Sequence, residues 1–250
     1  MASENRFDAV DVWTRGAAGT RRPRLSRADI AAAAIRIADA EGLDALSMRR
    51  LATEVDVGTM SLYHYVRTKD ELFSLVIDGL LAEVLVPAGA RMPKKWRDAI
   101  TMVARRSRDS LLRHPWVLDI SDDPPIGPNA MRHFDQTLEA VSTFDAPLSA
   151  KLDLMMSVDE YVFGYCLHAR NNLHHDEAQS DEMLHYVKEL FASDDYPALT
   201  EMVGEIGLEQ LWSRIHEHSA SSTRFDRNLA RLLDGFEAGI TKKSPGGRRA

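Results

Sequence analysis

Five side chains in one run of six could read the edges of nucleic-acid bases: Thr59, Met60, Ser61, Tyr63 and His64, in Thr-Met-Ser-Leu-Tyr-His. Small polar and aromatic groups on a short helix suit the floor of a DNA major groove. The residue left out of the set, Leu62, recurs at helical spacing with Val66, so these two predict an inward face while the five point outward. No other cluster has a spacing that chemistry needs. His174-His175-Asp176-Glu177 and His216-Glu217-His218 lack the paired spacing on one helical face that zinc sites use. Asp159-Glu160, adjacent on a helix, read as a solvated or Arg-paired couple. A Gly-rich phosphate loop, a Gly-x-Ser-x-Gly elbow and a His-Glu-x-x-His helix are all absent from the sequence. These residues predict DNA binding, not an enzyme, with no metal and no cofactor.

The elements that would hold this surface lie on either side of it. Ser47 can cap a helix whose apolar face is Met48, Leu51, Ala52 and Val55. Asp56-Val57-Gly58 breaks that helix, and Thr59 restarts one carrying Leu62 and Val66 on its buried side. Thr68 then caps a third helix, with Glu71 placed three residues on to complete a capping box. Two short helices joined by a three-residue turn make a helix-turn-helix.

This module resembles that of the tetracycline-repressor (TetR) family of bacterial transcription regulators. The resemblance rests on Leu51-Ala52, Val57, Ser61-Leu62-Tyr63 and Lys69-Asp70-Glu71-Leu72 in one register. It begins at Leu25, where Ser26 and Asp29 would cap a first helix, Ile30, Ala34, Ile37 and Ala38 would be buried, and Gly42 would stop it. The family usually has Gly where Asp56 stands, and Asp tolerates the left-handed conformation better than most residues. By this resemblance Arg49 would reach a base edge or a phosphate, and Met60 could meet a thymine methyl. Lys69 would clamp a phosphate at a helix start, and Ser47 would be both a cap and a phosphate donor. His64 and Tyr65 stand at the family's aromatic and histidine positions.

A net charge of −7 looks unfavourable for DNA until it is divided along the chain. Residues 15–69 carry ten Lys/Arg against six Asp/Glu, whereas residues 70–241 carry sixteen against twenty-nine. A basic module on an acidic body can neutralise phosphates locally while the body repels DNA elsewhere. Residues 1–23 are expected to be a flexible basic arm, with Arg21-Arg22-Pro23-Arg24 at its junction to the DNA-binding domain at 24–70; 71–241 is the body and 242–250 a basic tail. The single cysteine, Cys166, excludes an internal disulfide. No apolar run approaches the length of a membrane span, and no secretion signal is evident, so a cytoplasmic protein is expected.

The body reads as helix after helix, giving an all-α chain. The longest, about Leu148 to Asn172, is apolar around most of its circumference, and the last, about Phe225 to Ile240, repeats Leu229, Leu232, Leu233 and Phe236. His114-Pro115-Trp116, Pro125 to Ala130, Phe163-Gly164-Tyr165 and Leu232 to Phe236 resemble the ligand-binding and dimerisation half of the tetracycline-repressor class. That resemblance implies a homodimer packed through the long and last helices, because one head cannot read a two-fold operator alone. It also implies a small-molecule effector held between body helices. Trp116, Asn129, His133, Tyr161, Tyr165 and His168 are the expected lining. A counterpart to the tetracycline repressor's metal-binding histidine is missing near Ser121, which argues against magnesium–tetracycline. The expected partners are operator duplex, a second copy of the chain and an effector.

Overall fold

A computed structural model describes residues 12–14, 25–120, 127–172, 185–190, 196–220 and 223–241, and among these it contains helices and no strand. The first helix, α1 (Arg27–Glu41), is set by its cap. Ser26 Oγ accepts from Asp29 N at 3.1 Å, and the Asp29 carboxylate accepts from Ser26 N at 2.8 Å. The Ser26 hydroxyl also donates to the Asp29 carboxylate at 2.6 Å, and this bond, with that from Ser26 N, holds the Asp29 carboxyl below its ordinary range. Ile30, Ala34, Ile37 and Ala38 are buried as the periodicity predicts, and Gly42 ends the helix at φ +84°, a conformation glycine adopts at little steric cost.

Next come α2 (Met48–Glu54), capped by Ser47, and α3 (Thr59–Leu62). The turn between them is a Schellman closure. Val57 N donates to Ala52 O at 3.0 Å and Asp56 N to Thr53 O at 3.3 Å. Such a closure requires a left-handed residue, and Asp56 supplies it at φ +52°. The third helix is shorter than expected. It stops at Leu62, and the chain continues through turn bonds, His64 N to Ser61 O and Tyr65 N to Leu62 O, before Val66 is buried. Leu51, Leu62 and Val66 are fully buried, each contributing about 1.5–3 kcal/mol relative to exposure.

Thr68 caps α4 (Lys69–Val84) by accepting from Glu71 N. The carboxylate of buried Glu71 reaches back to Arg67 N at 2.7 Å, one residue before the position a capping box uses. Then follow α5 (Trp96–Arg113), a 3-10 turn at Pro115–Asp119, α6 (Pro128–Ala140), α7 (Leu148–Asn172), α8 (Pro197–Ile206), α9 (Leu208–Ala220) and α10 (Arg224–Thr241).

The packing does not divide where the sequence changes role. One compact unit covers residues 1–163 and the other 164–250. Within the first, a single apolar cluster runs from Leu25 and Ile30 through Leu51 and Leu62 to Leu80 and Val117. The reason is α4, whose apolar residues serve the reading head at one end and the body helices at the other. Val12 also joins this cluster with no exposed surface, and Trp13 packs against it. Residues 12–14 are therefore anchored in the core, contrary to the expectation of a flexible arm; the rest of the arm and the tail at 242–250 lie outside the described residues. In the second unit the buried stripe of α10 is Phe225, Leu229 and Leu233.

Candidate functional site

The outward set on and after α3 is displayed as the pattern predicts. Met60 is 78% exposed and Tyr63 41%, Ser61 and His64 are exposed, and Thr59 is half-buried at the helix start. Tyr65 departs from the group, since its ring packs against the apolar cluster. The brace beneath is rigid because Leu62 and Val66 leave no exposed surface.

Two adjacent arginines on α2 have different fates. Arg50 is tied down: its guanidinium donates to Glu41 at 2.6 Å and to Glu54 at 3.0 Å. Arg36 joins the same cluster through Glu54. These contacts raise Arg50 further above its already high value and lower the Glu54 carboxyl. Arg49 is exposed, and its guanidinium has no partner among the described residues. Sequence alone does not separate these neighbours; their angular positions on the helix and the placement of Glu41 on α1 do. Lys69 is exposed at the N-terminus of α4, with its ammonium 5.1 Å from the centre of the Phe73 ring. Ser47 is exposed, and its hydroxyl is engaged as the α2 cap.

From this head, α4 runs into a set of polar grips. Asp78, buried near its middle, accepts from Asn129 N at 2.8 Å, Ala130 N at 3.1 Å and Asn129 Nδ2 at 2.9 Å. A carboxylate thus caps the first turn of α6, where partial positive charge favours it. Gly127 makes the approach feasible, because a Cβ there would lie 2.2 Å from Asp78 Oδ1. At the far end, Arg106 of α5 donates to the carbonyls of Glu83, Val84 and Leu85. Gln136 of α6 clasps Val86 through both its N–H and its carbonyl.

A further node joins the head's first helix to the body. Asp39 Oδ1 on α1 accepts from Trp116 Nε1 at 2.8 Å and lies 2.7 Å from His114 Nδ1, while His114 Nε2 is 3.3 Å from Glu83. His114 is almost wholly buried. No sequence signal pointed to this node, since Asp39 and His114 are 75 residues apart.

Two residues of the expected effector lining have defined partners: Trp116 belongs to the Asp39 node and Asn129 to the Asp78 grip. His133 is half-buried and faces Asp159. Burial lowers its proton affinity, with Asp159 opposing. Burial raises the Asp159 carboxyl, which keeps access to water that limits the effect; His133 opposes this shift and Glu160 adds to it. Tyr161 is half-buried and His168 exposed. Tyr165 packs edge-on against Phe225, with ring centres 5.0 Å apart, and the Arg224 guanidinium lies 4.8 Å from its ring centre. Arg224 was not anticipated, because an arginine at a helix start reads as solvated. A groove of about 460 Å³, lined by Val86, Pro87, Arg91, Met92, Gln136 and Glu139 among others, contains none of the six expected residues and is open and polar. Groups of His, Cys, Asp and Glu arranged to hold a metal ion are absent among the described residues.

Comparison with known proteins agrees with this arrangement. Residues 30–76 match the family described as "Bacterial regulatory proteins, tetR family", and residues 90–240 match "Tetracyclin repressor-like, C-terminal domain". The chain is 31% identical over 245 residues to the HTH-type transcriptional repressor DrrR1 of Streptomyces coeruleorubidus, covering 93% of this chain and 85% of that protein. An HTH-type transcriptional regulator of Saccharopolyspora erythraea is 32% identical over 191 residues, or 75% of this chain and 79% of its own. Among solved structures, ActR of Streptomyces coelicolor in complex with actinorhodin aligns with a TM-score of 0.66 at 28% identity, covering 87% of this chain and 99% of that one.

Proposed function

Because the chain belongs to the tetracycline-repressor (TetR) family of bacterial transcription regulators, we propose that it works as a dimeric repressor released from a palindromic operator by a small-molecule effector. The observation that carries the DNA-binding half is the split between a buried brace of Leu51, Ala52, Leu62 and Val66 and an outward set of Arg49, Met60, Ser61, Tyr63 and His64. In this reading the outward set meets base edges, while Lys69 and Ser47 meet phosphates and fix register. The effector half draws on ActR, whose structure with actinorhodin is that of a ligand complex. The protein acts by binding, without enzymatic turnover.

Release follows from α4. It carries Lys69 at the head; toward the body its own Asp78 is held by Asn129, its last carbonyls by Arg106, and Val86 just beyond it by Gln136. An effector that favours a body arrangement with these grips displaced tilts α4 and moves each head out of its groove. Coupling between such sites is usually about 1–3 kcal/mol and reciprocal, so operator weakens effector binding by the same factor.

Selection from a random duplex pool, followed by footprinting, tests the DNA half. The expected result is a two-fold site with half-sites roughly 34–36 Å apart; recovery of no duplex, or of a lone half-site, refutes it. Titrating a stabilising compound with and without that duplex tests the release half. Equal affinity in both titrations refutes it, and tighter binding on DNA makes the compound a co-repressor.

A further inference from the structure

Two other arginines have their guanidinium groups committed to acceptors. Arg106 donates to three carbonyls and Arg50 to two carboxylates. Arg224, the first residue of α10, is different. Its Nε is shielded from solvent without a hydrogen-bond partner, and no ion pair to its guanidinium occurs among the described residues. Its described contact is the Tyr165 ring, 4.8 Å away, which is itself set edge-on against fully buried Phe225. A guanidinium has five N–H donors and no acceptor. The Tyr165 face attracts the cation, but the shielded Nε–H is left without an acceptor, which costs free energy that an anion would recover.

We propose that Arg224 and Tyr165 form the anchor for the acidic group of an aromatic effector. This rests on the ligand-responsive reading above and names the class of ligand. The planar fork of Arg224 matches the two oxygens of a carboxylate, and the first turn of α10 adds the positive end of a helix dipole. Tyr165 offers ring surface beside the fork for a planar ligand, and His168 follows three residues on along the same face of α7. The charge fixes orientation and the rings supply area, the usual division of labour in a small-molecule site.

The test compares two probes of one shape, 1-hydroxy-2-naphthoate and its neutral carboxamide, by calorimetric titration of the full-length protein. The wild type is expected to bind the acid at least tenfold more tightly than the amide. Arg224→Met should abolish that preference while changing amide affinity less than threefold, and Arg224→Lys should restore part of it. A preference that survives Arg224→Met overturns the anchor, as does the failure of the acid to bind the wild type at millimolar concentration. If Arg224→Met instead dissociates the dimer in sedimentation and leaves the preference untouched, the missing anion is a carboxylate of the second copy, and the inference is wrong. Should other, neutral compounds release operator while acids show no advantage, the anchor fails and ligand response stands. If no compound in a broad aromatic set stabilises the protein or releases operator, ligand response itself fails.

Discussion

Replacing Arg49 and Arg50 one at a time separates recognition from architecture at adjacent positions. Arg49 is exposed and its guanidinium has no partner among the described residues, so Arg49→Ala removes no internal contact of that group. Exposed substitutions of this kind change stability by no more than about 0.5 kcal/mol. If Arg49 makes a bidentate base contact, its loss weakens the specific site by about 1–3 kcal/mol, roughly five- to 150-fold. If it meets a phosphate instead, specific and random duplexes weaken together and the salt dependence becomes shallower. Arg50→Ala has the opposite profile. It removes the bond to Glu41 that ties α1 to α2, together with the pair to Glu54 within α2, so it lowers the melting temperature and affects binding only through the loosened helix pair. Fluorescence anisotropy with the selected operator and a scrambled duplex, over a series of salt concentrations, reads both variants, with thermal melts alongside. The reasoning fails if Arg50→Ala abolishes specific binding at unchanged stability while Arg49→Ala binds normally.

Three other outcomes follow from the geometry. Gly127→Ala places a methyl 2.2 Å from Asp78 Oδ1 and 2.8 Å from the Trp13 ring; overpacking of this kind costs about 1–3 kcal/mol, and an unchanged thermal melt would contradict the Asp78 grip. On α10, Leu229 and Leu233 are already buried within the chain, whereas Phe236 is half-buried. Phe236→Asp should therefore yield folded monomers in sedimentation with unchanged helicity, and a persistent dimer would remove α10 from the interface. Burial lowers the proton affinity of His133 below its ordinary value of 6.5, so the unfolded chain takes up that proton first as pH falls. Stability contributed by this group is present above that value and lost below it; denaturant melts between pH 7.5 and 5.5 should show a smaller loss for His133→Gln than for the wild type, and equal losses would refute the assignment.

What the sequence determined by itself is local. The Ser26–Asp29 capping box, the stop at Gly42, the left-handed residue in the turn at Asp56 and the burial of Leu51, Leu62 and Val66 each depend on groups within a few positions of one another. Helical period and cap chemistry act at that range, so the reading head and the all-α class were legible from side-chain order alone. The length of α3 was not, because the turn bonds after Leu62 accompany the seating of Val66 in the apolar cluster and of Tyr65 against it. The tertiary structure decided every assignment that needed two distant segments to meet. It committed Arg50 to Glu41 and left Arg49 open; it drew Trp116 to Asp39, 77 residues away, and Asn129 to Asp78, 51 residues away. It also set Arg224 over Tyr165. A sequence records which groups can pair. Which pair forms depends on the relative positions of helices, and those are fixed by burying one continuous apolar cluster, to which the polar residues then adapt.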